Sequence, residues 1–99
     1  MSASMIFRFD VSDSSGFAPC RKMVPALILK HGGEVVVADF AGKTLEGESR
    51  DARAIVKFPS EEQALAFYHD PDYTPLKDLR SETTVNSAVA LVTEFVRPV

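Results

Sequence analysis

The sequence predicts an α+β fold of the order β-α-β-β-α-β, a four-stranded antiparallel sheet with both helices on one face. Three observations lead there. Alternating apolar and polar residues mark strands near both ends of the chain. Two helical patterns are each preceded by cap residues. Short turn-rich joints leave room for one sheet only, and crossover rules close this element order into that sheet. Ninety-nine residues with 45% apolar content suit one domain over residues 1–99 around one core.

From Met5 to Val11, Phe7, Phe9 and Val11 share one face and Ile6, Arg8 and Asp10 the other, the period of a strand. Ser12 to Gly16 is rich in turn and N-cap residues. Met23, Leu27 and Lys30, with Val24, Ile28 and His31, then follow a helical spacing. This first helix is expected to begin near Ser15 or Ala18 and to end at His31, with Gly32 as its left-handed C′ residue. Pro25 removes a backbone hydrogen bond and predicts a bend.

Glu34 to Phe40 is β-branched and apolar, the second strand, and Lys43 to Glu48 is expected to extend it as a hairpin-like piece. Gly47 to Asp51 is a polar loop before the third strand, Arg53 to Phe58. Ser60 with Gln63 forms a capping-box pattern, so a second helix runs from Ser60 to His69 with Ala64, Phe67 and Tyr68 on its inward stripe. Asp70-Pro71 breaks it, and Pro71 opens a short helix through Arg80 on which Tyr73, Leu76 and Leu79 recur. Ser87 to Phe95 alternates again and is the fourth strand.

With helices on one face only, the other face of the sheet still carries apolar residues, because both alternating sets contribute in the second, third and fourth strands. A second copy laid against it is the economical cover, so a homodimer burying on the order of 800 Å² per partner is expected.

Eleven Lys and Arg against fourteen Asp and Glu give a net charge of −3 without a long run of one sign, which disfavours a nucleic-acid partner. The central strands also lack the interleaved aromatic and basic residues of RNA-reading sheets. Cys20 is the only cysteine, so no intramolecular disulfide forms. No stretch approaches the roughly twenty apolar residues of a membrane span, and the N-terminus does not read as a secretion signal. A cytoplasmic protein without membrane association is the expectation.

Several short motifs occur in order: HGG at His31 to Gly33, LEG at Leu45 to Gly47, FPS at Phe58 to Ser60, AxxFY at Ala64 to Tyr68, and Tyr73 followed by Arg80. In this the chain resembles domain-of-unknown-function family 1330, within the dimeric α+β-barrel superfamily of ferredoxin-like fold, from the first strand to the last. The resemblance implies a dimer whose two sheets form a barrel. Relatives in that superfamily include cofactor-free monooxygenases, isomerases and haem-degrading enzymes, so it implies a cleft between sheet and helices where a small organic molecule binds. At Gly16, Pro19 and Cys20 this sequence departs from the alanine-, glutamate- and tyrosine-like residues of the family pattern.

The candidate catalytic residues are His31 and Glu46. A neutral imidazole at the end of the first helix would serve as a general base, and Glu46 would orient it or bind a hydroxyl. The bland alternatives are a histidine favouring the helix C-terminal dipole and a solvated edge carboxylate. The candidate substrate-binding residues are Arg8, Tyr68, Tyr73 and Arg80. If both segments around Pro71 are helical, Tyr73 and Arg80 share a face, and with Tyr68 they would bind a carboxylate or polarise a carbonyl. Arg8 sits mid-strand with Asp10 on its face and is expected to ion-pair within the sheet or across the dimer, with anion binding as the alternative. Cys20 reads as a buried, inert thiol.

No phosphate loop, nucleophile elbow or dinucleotide fingerprint is present, so no cofactor is expected. Two histidines without acidic or thiol partners at ligand spacing argue against a zinc site. The leading expectation is therefore a dimer binding a small organic molecule, with cofactor-free monooxygenase or isomerase chemistry. The alternative is a non-catalytic interaction module, in which the same residues are packed or solvated singly.

Overall fold

In the computed structural model, which describes residues 1–98, seven elements follow in the order β1 (Ala3–Val11), α1 (Ser14–Lys30), β2 (Glu34–Asp39), β3 (Ala52–Phe58), α2 (Glu61–Tyr68), α3 (Thr74–Thr83) and β4 (Thr84–Thr93). The four strands form one antiparallel sheet in the order β2-β3-β1-β4. The expected fold is present, with three helices in place of two.

Alternation in β1 places Met5, Phe7 and Phe9 in the core, while Arg8 between them is exposed on the far face. Phe58 and Phe67 are fully enclosed with ring centroids 5.4 Å apart, and Phe67 stacks on Tyr73 at 4.4 Å, so an aromatic column joins β3, α2 and the start of α3. Burying side chains of this size is worth about 1.5–3 kcal/mol each.

Helix α1 starts earlier than its apolar spacing predicts, because the Asp13 side chain accepts from Gly16 N at 3.0 Å and caps it. Pro19 and Pro25 both lie inside it, so it runs on without the donors those residues lack. Its end is a Schellman motif: Gly33 N donates to Ile28 O at 2.9 Å and Gly32 N to Leu29 O at 3.0 Å, with Gly32 at φ +77° as expected. Ser60 caps α2 by accepting from Gln63 N, but the Gln63 amide reaches across to His31 O, so the capping residue also closes the end of α1.

Other boundaries differ from the sequence reading as well. Lys43 to Glu48 is not a strand: Asp39 Oδ1 accepts from Ala41 N at 2.7 Å, a turn that ends β2 at the sheet edge. Pro71 opens a turn, and the helix begins only at Thr74, with Pro75 in its first turn. β4 runs from Thr84, because the register shift opposite Arg8 and Asp10 absorbs Asn86 at φ +55° and hides the alternation there. Asn86 Nδ2 donates to Asp10 Oδ2 at 2.9 Å and Asp51 N to Asp10 Oδ1 at 2.8 Å. Asp10 is thus spent on the bulge, and Arg8 makes no ion pair with it within the sheet.

The molecule measures 46 × 36 × 16 Å, a slab one helix layer thick on one sheet layer. On the uncovered face the strand registers align Val37, Ile55, Ile6 and Ala90 in one apolar row crossing all four strands.

Candidate functional site

Between the helix-facing side of the sheet and helices α1 and α3 lies a cavity of about 220 Å³. Its existence follows from two small residues. Ala38 of β2 pairs with Ala54 of β3, which pairs in turn with Phe7 of β1, so half of one row of the sheet carries only methyl groups where the helices pass over it. From α1, Phe17, Cys20 and Val24 form the roof, and Tyr73, Leu76 and Arg80 close the far wall. Phe9, Phe17 and Phe40 make an aromatic triangle with centroids 5.3, 6.2 and 6.3 Å apart. Arg21, exposed at the rim, stacks over Phe40 with Cζ 4.0 Å from the ring centroid.

The polar groups of this apolar space are few. Tyr73 precedes α3 and Arg80 lies two turns on, so both project from one side of the helix. Arg80 Nη1 donates to the Tyr73 hydroxyl at 2.8 Å, and its Cζ lies 5.4 Å from the Phe7 ring centroid. Arg80 Nε is buried and has no hydrogen-bond partner among the described residues. Burial pushes the Tyr73 phenol up, against a smaller opposing pull from Arg80. Burial likewise raises the Cys20 thiol, whose Sγ donates to Leu76 O at 3.3 Å.

Of the six residues singled out from the sequence, the structure brings Tyr73 and Arg80 together in the cavity wall. Tyr68 stands behind Tyr73, ring centroids 6.1 Å apart, with Lys77 Nζ 4.2 Å above its face. His31 lies outside the cavity, its Nε2 2.7 Å from Asp70 Oδ2. Asp70, which also accepts from Lys30 Nζ at 3.0 Å, is held well below the usual carboxylate range, first by His31, then by Asp72 N and Lys30. Glu46 is exposed in the loop between β2 and β3, and Arg8 is exposed on the uncovered face. The residues that sequence reading missed are Ala38, Ala54, Arg21 and Phe40. Only the strand register reveals the first two as neighbours, and no spacing in the chain encodes it.

Among the described residues no cluster of three or more His, Cys, Asp or Glu side chains is placed to hold a metal ion. Among the same residues no helix is long and apolar enough to cross a membrane.

This architecture is shared. The profile of the family described as domain of unknown function (DUF1330) matches residues 2–95. The chain belongs to the DUF1330 family. A protein of unknown function from Rhodopseudomonas palustris superposes with a TM-score of 0.81 at 16% identity, covering 97% of this DUF1330 chain and 84% of that one. SnoaB, a cofactor-independent oxygenase from Streptomyces nogalater, gives 0.68 at 13% identity, covering 97% and 95%. A dimeric protein of unknown function and ferredoxin-like fold from Bacteroides fragilis gives 0.59 at 15%, covering 95% and 96%. At these identities the likeness is one of fold, and it places the DUF1330 chain among ferredoxin-like proteins. No curated protein matches the sequence.

Proposed function

We propose that this chain is a homodimeric protein that binds a small organic molecule in the cavity between sheet and helices, with Tyr73 and Arg80 as its polar contacts. The observation that carries this reading is the Ala38–Ala54 pair, which leaves about 220 Å³ open where larger side chains would complete the core. The space is partly open to solvent, so it is a cleft that a small molecule can enter rather than a sealed void. Its aromatic lining with one polar pair is the composition of a ligand site.

The dimer rests on the uncovered sheet face. Its row of Val37, Ile55, Ile6 and Ala90 spans the slab, and a second copy stacked there would remove it from water. The Bacteroides fragilis protein of the same fold is dimeric, which supports the reading.

A second reading adds turnover without a cofactor, of monooxygenase or isomerase type, and the fold shared with the oxygenase SnoaB favours it. His31, Glu46 and Arg8 have no part in the cavity in either reading. The test is a screen of small aromatic compounds, neutral and acidic, by amide chemical-shift mapping on the wild-type dimer, followed by product analysis of every binder. Binders that shift Phe7, Ala54, Tyr73 and Arg80 are expected. If binders shift other regions only, or none bind, the reading fails. Binding without conversion leaves a non-catalytic module and removes the second reading.

A further inference from the structure

The cavity is unbalanced in charge. Two guanidinium groups border it, Arg80 in the wall and Arg21 at the rim, and no Asp, Glu or His lines it among the described residues. Neither arginine makes a salt bridge among those residues. Arg80 is half-buried with its Nε enclosed, and a cation so withdrawn from water normally has a carboxylate beside it, since an unmatched charge or donor is costly to the fold. Phe7 offers Arg80 a ring face, which eases the charge but accepts nothing from Nε.

The donors are also unbalanced. The Tyr73 hydroxyl is already the acceptor for Arg80 Nη1, so its own hydrogen is free to be given away, and it makes no such bond among the described residues. Tyr73 is 2% exposed, so water does not readily take that hydrogen. Tyr73 and Arg80 thus bring a phenol and a guanidinium to one end of an apolar space whose lining holds no acidic side chain among the described residues. The net positive charge of the lining asks that a ligand seated there be negative.

Building on the binding role proposed above, we infer that the cavity takes a flat organic monoanion, a carboxylate or phenolate, with its charged oxygen at Tyr73 and Arg80 and its apolar body among Phe9, Phe17 and Phe40. Arg21 is exposed at the rim and its charge is screened by water, so the more withdrawn Arg80 asks for one negative charge rather than two. The lining has no carboxylate or imidazole to take a proton from the ligand, so the molecule enters already ionised. Its volume limits it to a body of one or two fused rings.

Wild-type protein is titrated calorimetrically at pH 7.5 with two matched pairs: 1-naphthoate against 1-naphthamide, and para-nitrophenolate against para-nitroanisole. In at least one pair the anion is expected to bind tenfold or more tightly than its neutral partner. Arg80→Gln is expected to reduce that preference to under threefold, chiefly by weakening the anion. Tyr73→Phe is expected to weaken the anion by three- to tenfold. A carboxylate-only or phenolate-only preference identifies the source of the charge and supports the inference either way. If wild-type protein binds the neutral and charged members of both pairs equally, the inference is overturned while the binding role stands. If none of the four binds, this inference is overturned, and the broader screen alone decides the binding role. The comparison within wild-type protein stands even if the variants fail to fold.

Discussion

Asp70 Oδ2 accepts from His31 Nε2 at 2.7 Å and from Lys30 Nζ at 3.0 Å, while its Oδ1 accepts from Asp72 N at 2.8 Å. One carboxylate thus ties the C-terminal end of α1 to the turn that separates α2 from α3. The aromatic column runs beside it, with the His31 ring 6.3 Å from Phe67.

These donors hold the Asp70 carboxyl below its ordinary value of about 3.9, so its sign in the pH dependence is fixed. A carboxyl lowered on folding adds stability that is complete above the unfolded value and is lost as the pH falls toward the folded one. Wild-type stability should therefore decline from about pH 5 downward. Asp70→Asn should lower Tm by several degrees at pH 7 and show a flatter curve below pH 5, read by circular dichroism melts across that range. Parallel curves for the two proteins would show that the ion cluster does not couple to folding.

Gly32 and Gly33 make different demands, and substitution separates them. Gly32 at φ +77° needs the left-handed region, so Gly32→Ala should cost about 1–2 kcal/mol. Gly33 needs space: a Cβ there would lie 2.6 Å from Phe58 Cε1 and 2.9 Å from Ile28 Cγ2. Phe58 is fully enclosed and cannot swing aside, so Gly33→Ala should cost about 1–3 kcal/mol by overpacking. Urea unfolding measures both. A Gly33→Ala protein as stable as wild type would mean that Phe58 has room to move.

How much of this could be read from the chain depends on the range of the interaction. Local signals gave the elements: the Ser60 cap, the Gly32 terminus and the alternation of Phe7 and Phe9 all act within a few residues. Tyr73 and Arg80 were legible as a pair because seven residues are two helical turns. Where a residue's partner is set by strand pairing, the reading failed. The Ala38–Ala54 neighbourhood depends on a register shift between Val35 and Val37, and Arg8 lost Asp10 to a loop forty-one residues further on. The start of β4 was hidden for a related reason, since Asn86 sits in a bulge that breaks the period on which strand detection relies.

The apolar row on the bare face gives a prediction about assembly. Ile6 and Ile55 are direct neighbours at the centre of that row, on adjacent strands. A charge there sits on a face that a lone chain leaves to solvent, so it should spare the fold and oppose stacking. Ile6→Glu should convert a dimer to a monomer with little loss of secondary structure, as measured by sedimentation equilibrium and circular dichroism. An unchanged dimer would move the interface to another surface.

The cavity itself makes the most discriminating prediction, because packing and binding pull in opposite directions there. Ala54→Leu adds three carbons on the helix-facing side of β3, into space lined by Phe7, Val56 and Leu76. Filling an apolar void gains the transfer free energy of the added groups, about 0.8 kcal/mol for each methylene buried, less whatever strain the new rotamer carries. The variant should therefore match or exceed wild-type stability by about 0.5–2 kcal/mol in urea unfolding. The same side chain would occupy the ligand's place, so any compound that binds the wild-type cavity should lose at least tenfold in affinity. A residue kept small only for packing would show the reverse, with Ala54→Leu losing stability as Phe7 and Leu76 are forced apart. Gain in stability together with loss of binding is the combination expected of a core left incomplete to receive a molecule.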